Sequence, residues 1–378
     1  MYLQILILLG LIGIIGECYF ISLWIIGKRN KVKEVFKKYT PSAFVIIPCK
    51  GLEPGVVENI GAFCSQEYPK YKLLFVVDSD KDPIYKHIKK LNEIHDHVSI
   101  KISKILNECS GKISALLTGL ESIKSEEIIV FADSDIKPKK TWLKNLIEPL
   151  QDKSNGACTG YRWYFSTDFK SKLISTWNLA SIAFLFQPTY NFTWGGSTAI
   201  KKSIFDKLEI KNKWKTAFSD DLILTNTLKN AGYKIYFQPK CVMESVPEKN
   251  LKRFKKWGTR QYTWLRWYYP IIFYSSFIGL AGVKILTIFG FILLFFGLYV
   301  PAFLMISVIA FEMIFGWQGI VTLQKTMVYP KESFPSKFSY AIIMPLVFFM
   351  IVQNMIASLF QKEIIWAGRS YKKRKNII

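Results

Sequence analysis

Three acidic clusters and one basic, aromatic stretch are the parts of this sequence whose residue types could do chemistry. Val77-Asp78-Ser79-Asp80 and Ala132-Asp133-Ser134-Asp135 each place an Asp-x-Asp directly after an apolar run. Such a turn suits a hard cation such as Mg²⁺ or Mn²⁺, which takes few carboxylates and fills its remaining positions with the oxygens of a diphosphate. The third cluster, Ser219-Asp220-Asp221, opens a helix expected over 221–230 and closed by Gly232. Ser219 can cap that helix and the acids favour its dipole. Taken with the two aspartate turns, the cluster is better read as the source of a general base. The basic stretch, Lys252 to Tyr269, holds six lysines and arginines and no acid. Its Phe254, Trp257, Gln261, Trp264 and Tyr268 recur at helical spacing, so a helix here carries an aromatic stripe beside a cationic one.

These residues need a scaffold. Phe44–Pro48, Leu73–Val77 and Ile128–Ala132 are continuously apolar, as parallel strands covered on both faces are, with helix-like segments between them. The pattern predicts a doubly wound α/β domain, in which ligands bind beyond the carboxyl ends of the strands. The acidic turns sit there.

The rest of the chain is membrane-like. Residues 2–26 form an apolar run with no basic residue before it and Lys28, Arg29, Lys31, Lys33, Lys37 and Lys38 after it. It is long enough to cross a hydrocarbon core of about 30 Å, and its flanking charges predict an anchor whose following domain is cytoplasmic rather than a cleaved signal peptide. Apolar texture returns at 271–317, with a break expected near Leu298–Pro301, and at about 338–360. Three crossings there would put the basic tail, Arg369, Lys372, Lys373, Arg374 and Lys375, on the far side, against the positive-inside tendency. One apolar segment is therefore expected to be re-entrant or interfacial. Glu17, Lys284 and Glu312 fall inside apolar runs, where ionisable groups are costly enough to imply a function or a partner.

Composition narrows the partners. Lysine and arginine number 51 against 28 acids in 378 residues, a net charge of +23, and half the residues are hydrophobic. That combination fits an anionic bilayer face better than nucleic acid, which is not expected as a partner. Six scattered cysteines and three histidines in a lysine-rich stretch make neither a disulfide framework nor a zinc site.

The ordered motifs carry a resemblance. They are Pro48-Cys49-Lys50-Gly51, Gln66-Glu67-Tyr68-Pro69-Lys70-Tyr71, Lys112 in an expected loop before Leu116, Asp133-Ser134-Asp135, Gly195-Gly196-Ser197, Ser219-Asp220-Asp221 and Arg253-x-x-Lys256-Trp257. In this order they are similar to family-2-type inverting glycosyltransferases, closest to the ceramide glucosyltransferase branch. The resemblance implies a GT-A-like nucleotide-diphospho-sugar transferase domain with N- and C-terminal transmembrane helices. It implies that Asp78 or Asp80 contacts the nucleotide, that Lys50, Lys112 and Asp133 also bind the nucleotide sugar, and that Asp133 and Asp135 hold Mg²⁺ or Mn²⁺. Asp221 corresponds to the base, Arg253 and Lys256 approach the diphosphate, and Trp257, Gly195 and Gly196 face the acceptor. Lys256 stands where arginine is usual, which loses a bidentate grip on phosphate.

The expected division is an anchor over 1–27, a cytoplasmic glycosyltransferase domain over 28–250, an interfacial helix over 251–270, transmembrane helices over 271–361 and a basic tail over 362–378. The expected reaction moves a hexose, glucose first, from a UDP-sugar to the hydroxyl of ceramide or a similar membrane lipid. The alternative is a polyprenyl-phosphate glycosyltransferase or a polysaccharide synthase-like enzyme.

Overall fold

The computed structural model describes the chain apart from residues 1, 33–35, 166–167, 247–249, 328, 330–335 and 374–378, with backbone alone for 28–32. Of the basic residues discussed above, Lys33, Arg374 and Lys375 lie outside the described residues, as do the side chains of Lys28, Arg29 and Lys31. In chain order the elements are α1 (Tyr2–Val32), β1 (Ala43–Cys49), α2 (Val56–Cys64), β2 (Tyr71–Val77), α3 (Tyr85–Ile94), β3 (Val98–Ile102), α4 (Gly111–Leu120), β4 (Ile128–Ala132), β5 (Ile136–Lys137), α5 (Trp142–Ile147), β6 (Asn155–Tyr164) and α6 (Phe169–Leu185). They continue with β7 (Ser197–Lys201), α7 (Lys202–Lys207), α8 (Ile210–Trp214), α9 (Asp220–Asn230), β8 (Lys234–Ser245), α10 (Leu251–Tyr268), α11 (Pro270–Phe295), α12 (Tyr299–Thr326), α13 (Lys337–Leu359), β9 (Glu363–Trp366) and β10 (Arg369–Lys372). The chain divides into two compact units. A helical unit comprises Met1–Lys33, Tyr164–Gln187 and Pro247–Ile364, and a sheet unit comprises Glu34–Trp163, Pro188–Val246 and Ile365–Ile378.

The sheet unit is built on eight strands in the order β3-β2-β1-β4-β7-β6-β8-β5. The three continuous apolar runs are β1, β2 and β4, parallel neighbours in register from Ala43↔Tyr71 and Ala43↔Ile128. Their side chains are almost wholly buried, as strands covered on both faces must be. β1 lies between β2 and β4, so the two Asp-x-Asp turns leave the sheet at the same edge on either side of Lys50. The other half is antiparallel: β7 runs against β4 with Ala132↔Ser197, and β6 runs against β7. The sheet is therefore mixed α/β, doubly wound on one side only.

Among the described residues, the helical unit contains four helices long and apolar enough to cross a membrane: Tyr2–Gly27 of α1, then α11, α12 and α13. The break between α11 and α12 falls at Phe296–Leu298, where Gly297 takes φ 70°, rather than at Pro301, which lies in the first turn of α12. Proline is tolerated there because the first N–H groups of a helix have no internal partner. Where α11 approaches α12, a methyl on Gly290 would lie 2.8 Å from Met305 Cβ, the close backbone approach small residues permit between membrane helices. α10 starts at its Asn250 cap, which accepts from Lys252 N and Arg253 N. Its Phe254, Trp264 and Tyr268 are buried within the unit, and Trp177 of α6 meets Phe254 and Trp257 edge-on at 5.7 and 5.1 Å.

Glu17, Lys284 and Glu312 are 2%, 3% and 1% exposed and belong to α1, α11 and α12. Lys284 Nζ pairs with Glu312 Oε1 and lies 4.7 Å from the Phe349 ring centre. Lys284 is held inside the helices by a partner and does not snorkel to an interface. Glu17 Oε2 and Glu312 Oε2 are buried without a hydrogen-bond partner among the described residues. Removing one member of a buried ion pair strands the other, at a cost of about 3–5 kcal/mol, whereas an apolar replacement of both is often neutral. Lys284→Met should therefore lower the melting temperature of the detergent-purified protein well below that of the Lys284→Met/Glu312→Leu double variant. Equal melting of the two would show that the charges do not act as a pair.

Candidate active site

The site is built at the carboxyl edge of β1, β2 and β4 and completed by the starts of α4 and α9. α4 begins where Ser110 accepts from Ile113 N, and Ser110 N donates to Ala217 O at 3.0 Å, tying this helix start to the loop before α9. Lys112, expected in a loop, is thus the second residue of α4. Its Nζ lies 2.7 Å from Asp133 Oδ1 and 3.4 Å from Asp220 Oδ2. Burial works against the ammonium, but the carboxylates of Asp133, Asp220 and Asp221 hold it above the usual lysine range. Burial likewise opposes ionisation of Asp133, which Lys112 and Arg162 outweigh, keeping its carboxyl below the usual range. For Asp220 the balance reverses. Burial, only partly offset by Lys112 and reinforced by Asp221 and Asp133, pushes its carboxyl up to about 6. One ammonium cannot compensate three carboxylates.

Two glycines make this packing possible. A methyl on Gly195 would run into Asp220 Oδ2 and lie 2.7 Å from Lys112 Nζ, and one on Gly196 would meet the Trp194 ring and lie 2.8 Å from Asp133 Oδ2. Asp133 N donates to Gly196 O at 3.2 Å, which fixes the aspartate turn against this loop.

Arg162, on β6, is the residue that sequence reasoning missed. Its Nη1 lies 3.0 Å from Asp135 Oδ2, its Nη2 lies 3.5 Å from Asp133 Oδ2, and its guanidinium sits 4.8 Å from the centre of the Trp194 ring. A single arginine in Asn155–Tyr164 gives no motif; the only available signal was a cation in a strand otherwise rich in apolar and small residues. Asp220 was also passed over for its neighbour, although it is the more buried of the two.

The remaining expected residues divide as follows. Lys50 Nζ pairs with Asp78 Oδ2 at 2.7 Å, while Asp80 is exposed and accepts from Ser79 Oγ at 3.2 Å. Asp221 is the second residue of α9, whose cap is Ser219, and its Oδ1 accepts from Leu222 N at 2.8 Å and from the Ser219 hydroxyl. Its Oδ2 takes no hydrogen bond among the described residues. Arg253 and Lys256 are exposed and Trp257 is half-buried on α10, which belongs to the helical unit.

Asp133 and Asp135 fit a divalent cation. Asp135 Oδ1 is buried with no hydrogen-bond partner among the described residues, a lone pair of the kind a cation takes. No group of three or more histidine, cysteine or acidic side chains able to hold a metal occurs among the described residues. A cation here would therefore draw its other ligands from a bound ligand or water.

Sheet and site together define a glycosyltransferase of GT-A-like fold. Glycosyl transferase family 21 matches residues 5–377, and the chain belongs to that family. The probable glycosyltransferase YdaM of Bacillus subtilis (strain 168) is 28% identical over 289 residues, 71% of this chain and 66% of its own length. The chain thus spans just under two thirds of that relative. Among solved structures it is similar to the mannosyltransferase PcManGT from Pyrobaculum calidifontis in complex with GDP-Man and Mn²⁺, with a TM-score of 0.55, 15% identity, and coverage of 94% of this chain and 97% of that one.

The charge balance at Asp220 has a measurable sign. A carboxyl near 3.8 when unfolded and about 6 when folded takes up a proton on folding, so wild-type stability falls as pH rises through that window. Asp220→Asn is neutral throughout and should gain a few degrees in melting temperature over wild type between about pH 4 and 6, holding the gain above it. A difference independent of pH would remove Asp220 as the strained acid.

Proposed function

We propose that the protein transfers a hexose, glucose by the resemblance of its motifs, from a UDP-sugar to the hydroxyl of ceramide or a similar membrane lipid with inversion. The observation that supports this most is the meeting of Asp133, Asp135, Lys112 and the Asp220-Asp221 pair at one sheet edge. A cation-binding pair, a buried ammonium and a carboxylate with an open oxygen are what displacement of a nucleoside diphosphate needs. On this reading Asp78, held by Lys50, contacts the nucleotide, and Asp80 does not. Mg²⁺ or Mn²⁺, when bound by Asp133 and Asp135, would neutralise charge on the departing diphosphate.

The protein's own residues do the rest. Asp221 Oδ2 takes the proton of the lipid hydroxyl as that oxygen attacks the anomeric carbon and the bond to the diphosphate breaks. Ser219 and Leu222 N fix the other oxygen and so aim the carboxylate. Lys112 offsets the charge that develops on the leaving group, with Arg253, Lys256 and Trp257 assigned to the diphosphate and acceptor by resemblance. One base and one leaving group give a single displacement, hence inversion. The mannosyltransferase from Pyrobaculum calidifontis, solved with GDP-Man and Mn²⁺, is in keeping with both a sugar-nucleotide donor and the cation. The four apolar helices are in keeping with a lipid acceptor, and the basic residues after the first of them are in keeping with a cytoplasmic sheet unit.

Two measurements test the reading. Activity should require a divalent cation, and Asp135→Asn should nearly abolish it; full turnover in excess chelator would defeat the metal role. Asp221→Asn should fold, bind UDP-sugar nearly normally and lose at least about 100-fold in single-turnover transfer to lipid, the usual cost of removing a positioned base. A phosphate acceptor arrives already ionised and needs little help. Transfer within a few-fold of wild type would therefore remove Asp221 as base and favour the polyprenyl-phosphate alternative.

A further inference from the structure

The segment expected to be only a basic tail enters the sheet unit and touches the site. β9 and β10 form a two-stranded hairpin whose turn, Ala367-Gly368, takes φ of 49° and 81°, the left-handed pair of a tight hairpin turn. Three contacts join its turn and second strand to residues already described. Lys50 Nζ, paired with Asp78, also donates to Ala367 O at 3.2 Å. Tyr371 is 6% exposed, and its hydroxyl accepts from Gly111 N, beside Lys112, at 3.3 Å. The Tyr371 ring packs on Phe218, just before Ser219-Asp220-Asp221, with centroids 5.2 Å apart.

These tethers fix the backbone on both sides of Arg369. The guanidinium is laid against Gly111, close enough that a methyl there would lie 3.5 Å from Arg369 Cζ and Nη1. Lys50, Lys112 and Arg162 each have a carboxylate partner in the site. Arg369 has none among the described residues. A guanidinium held one residue from Lys112, with no acid to neutralise it, presents a planar fork suited to phosphate oxygens. We propose that the hairpin completes the donor site, with Arg369 contacting the diphosphate of the nucleotide sugar and with Lys50 and Tyr371 as positioning residues.

The proposal rests on the reading of the protein as a nucleotide-sugar transferase. It is tested by titrating full-length protein in neutral detergent with UDP, and separately with uridine, in the presence of Mn²⁺. Arg369→Ala should weaken UDP at least about tenfold while leaving uridine affinity and melting temperature unchanged. Tyr371→Phe, which keeps the ring and loses the acceptor for Gly111 N, should weaken UDP by a smaller factor. Arg369→Ala binding UDP as wild type does would overturn the proposal. Wild-type protein that binds neither UDP nor GDP would instead overturn the transferase reading, and this proposal with it. Anionic headgroups offer the same chemistry as a diphosphate, so flotation on phosphatidylcholine vesicles with and without phosphatidylglycerol separates the sources. Loss of anionic-vesicle binding in Arg369→Ala with unchanged UDP affinity would assign Arg369 to the bilayer and overturn the donor assignment.

Discussion

The site depends on one constraint: several carboxylates must share the end of a sheet without expelling one another. A buried acid is tolerated only with a compensating charge or a proton. Here the compensation is Lys112, placed by the first turn of a helix between Asp133 and Asp220, with Arg162 reaching across from the antiparallel half of the sheet. The charges do not balance fully, since Asp220 and Asp221 stand close together over the same ammonium. An excess of negative charge at rest suits a site for a divalent cation, which brings the missing positive charge with it.

This arrangement explains the division of labour in the sheet. The parallel half delivers acids from the ends of β2 and β4, on either side of Lys50 at the end of β1. The antiparallel half supplies what parallel strands cannot: β7 and the glycines before it lie directly against Asp133, and β6 carries Arg162 back to the same edge. Gly195 and Gly196 are needed because side chains of Asp220, Lys112, Trp194 and Asp133 occupy the space their own would take.

Much of this was legible in the sequence, for physical reasons that also mark where legibility ended. Strands buried on both faces read as unbroken apolar runs, so β1, β2, β4 and the acids after them could be placed. β3 could not, because an edge strand such as Val98–Ile102 keeps polar residues along it. Asp78 and Asp80 are equivalent as letters and differ only in whether Lys50 reaches them. Arg162 was invisible because its partners are 27 and 29 residues away along the chain. The hairpin in the tail was not foreseen because lysines and arginines in Arg369–Lys373 look solvated, whereas the packing residue there is Tyr371.

The hairpin also sets an order in time. Lys50, Gly111 and Phe218 are translated early, but the residues that lean on them follow every apolar helix in the chain. The wall of the site near Lys112 is therefore completed only after all four apolar helices have been translated. A nascent chain that stops short of Tyr371 holds its acids and its lysine but lacks the contacts that Tyr371 makes with Gly111 and Phe218.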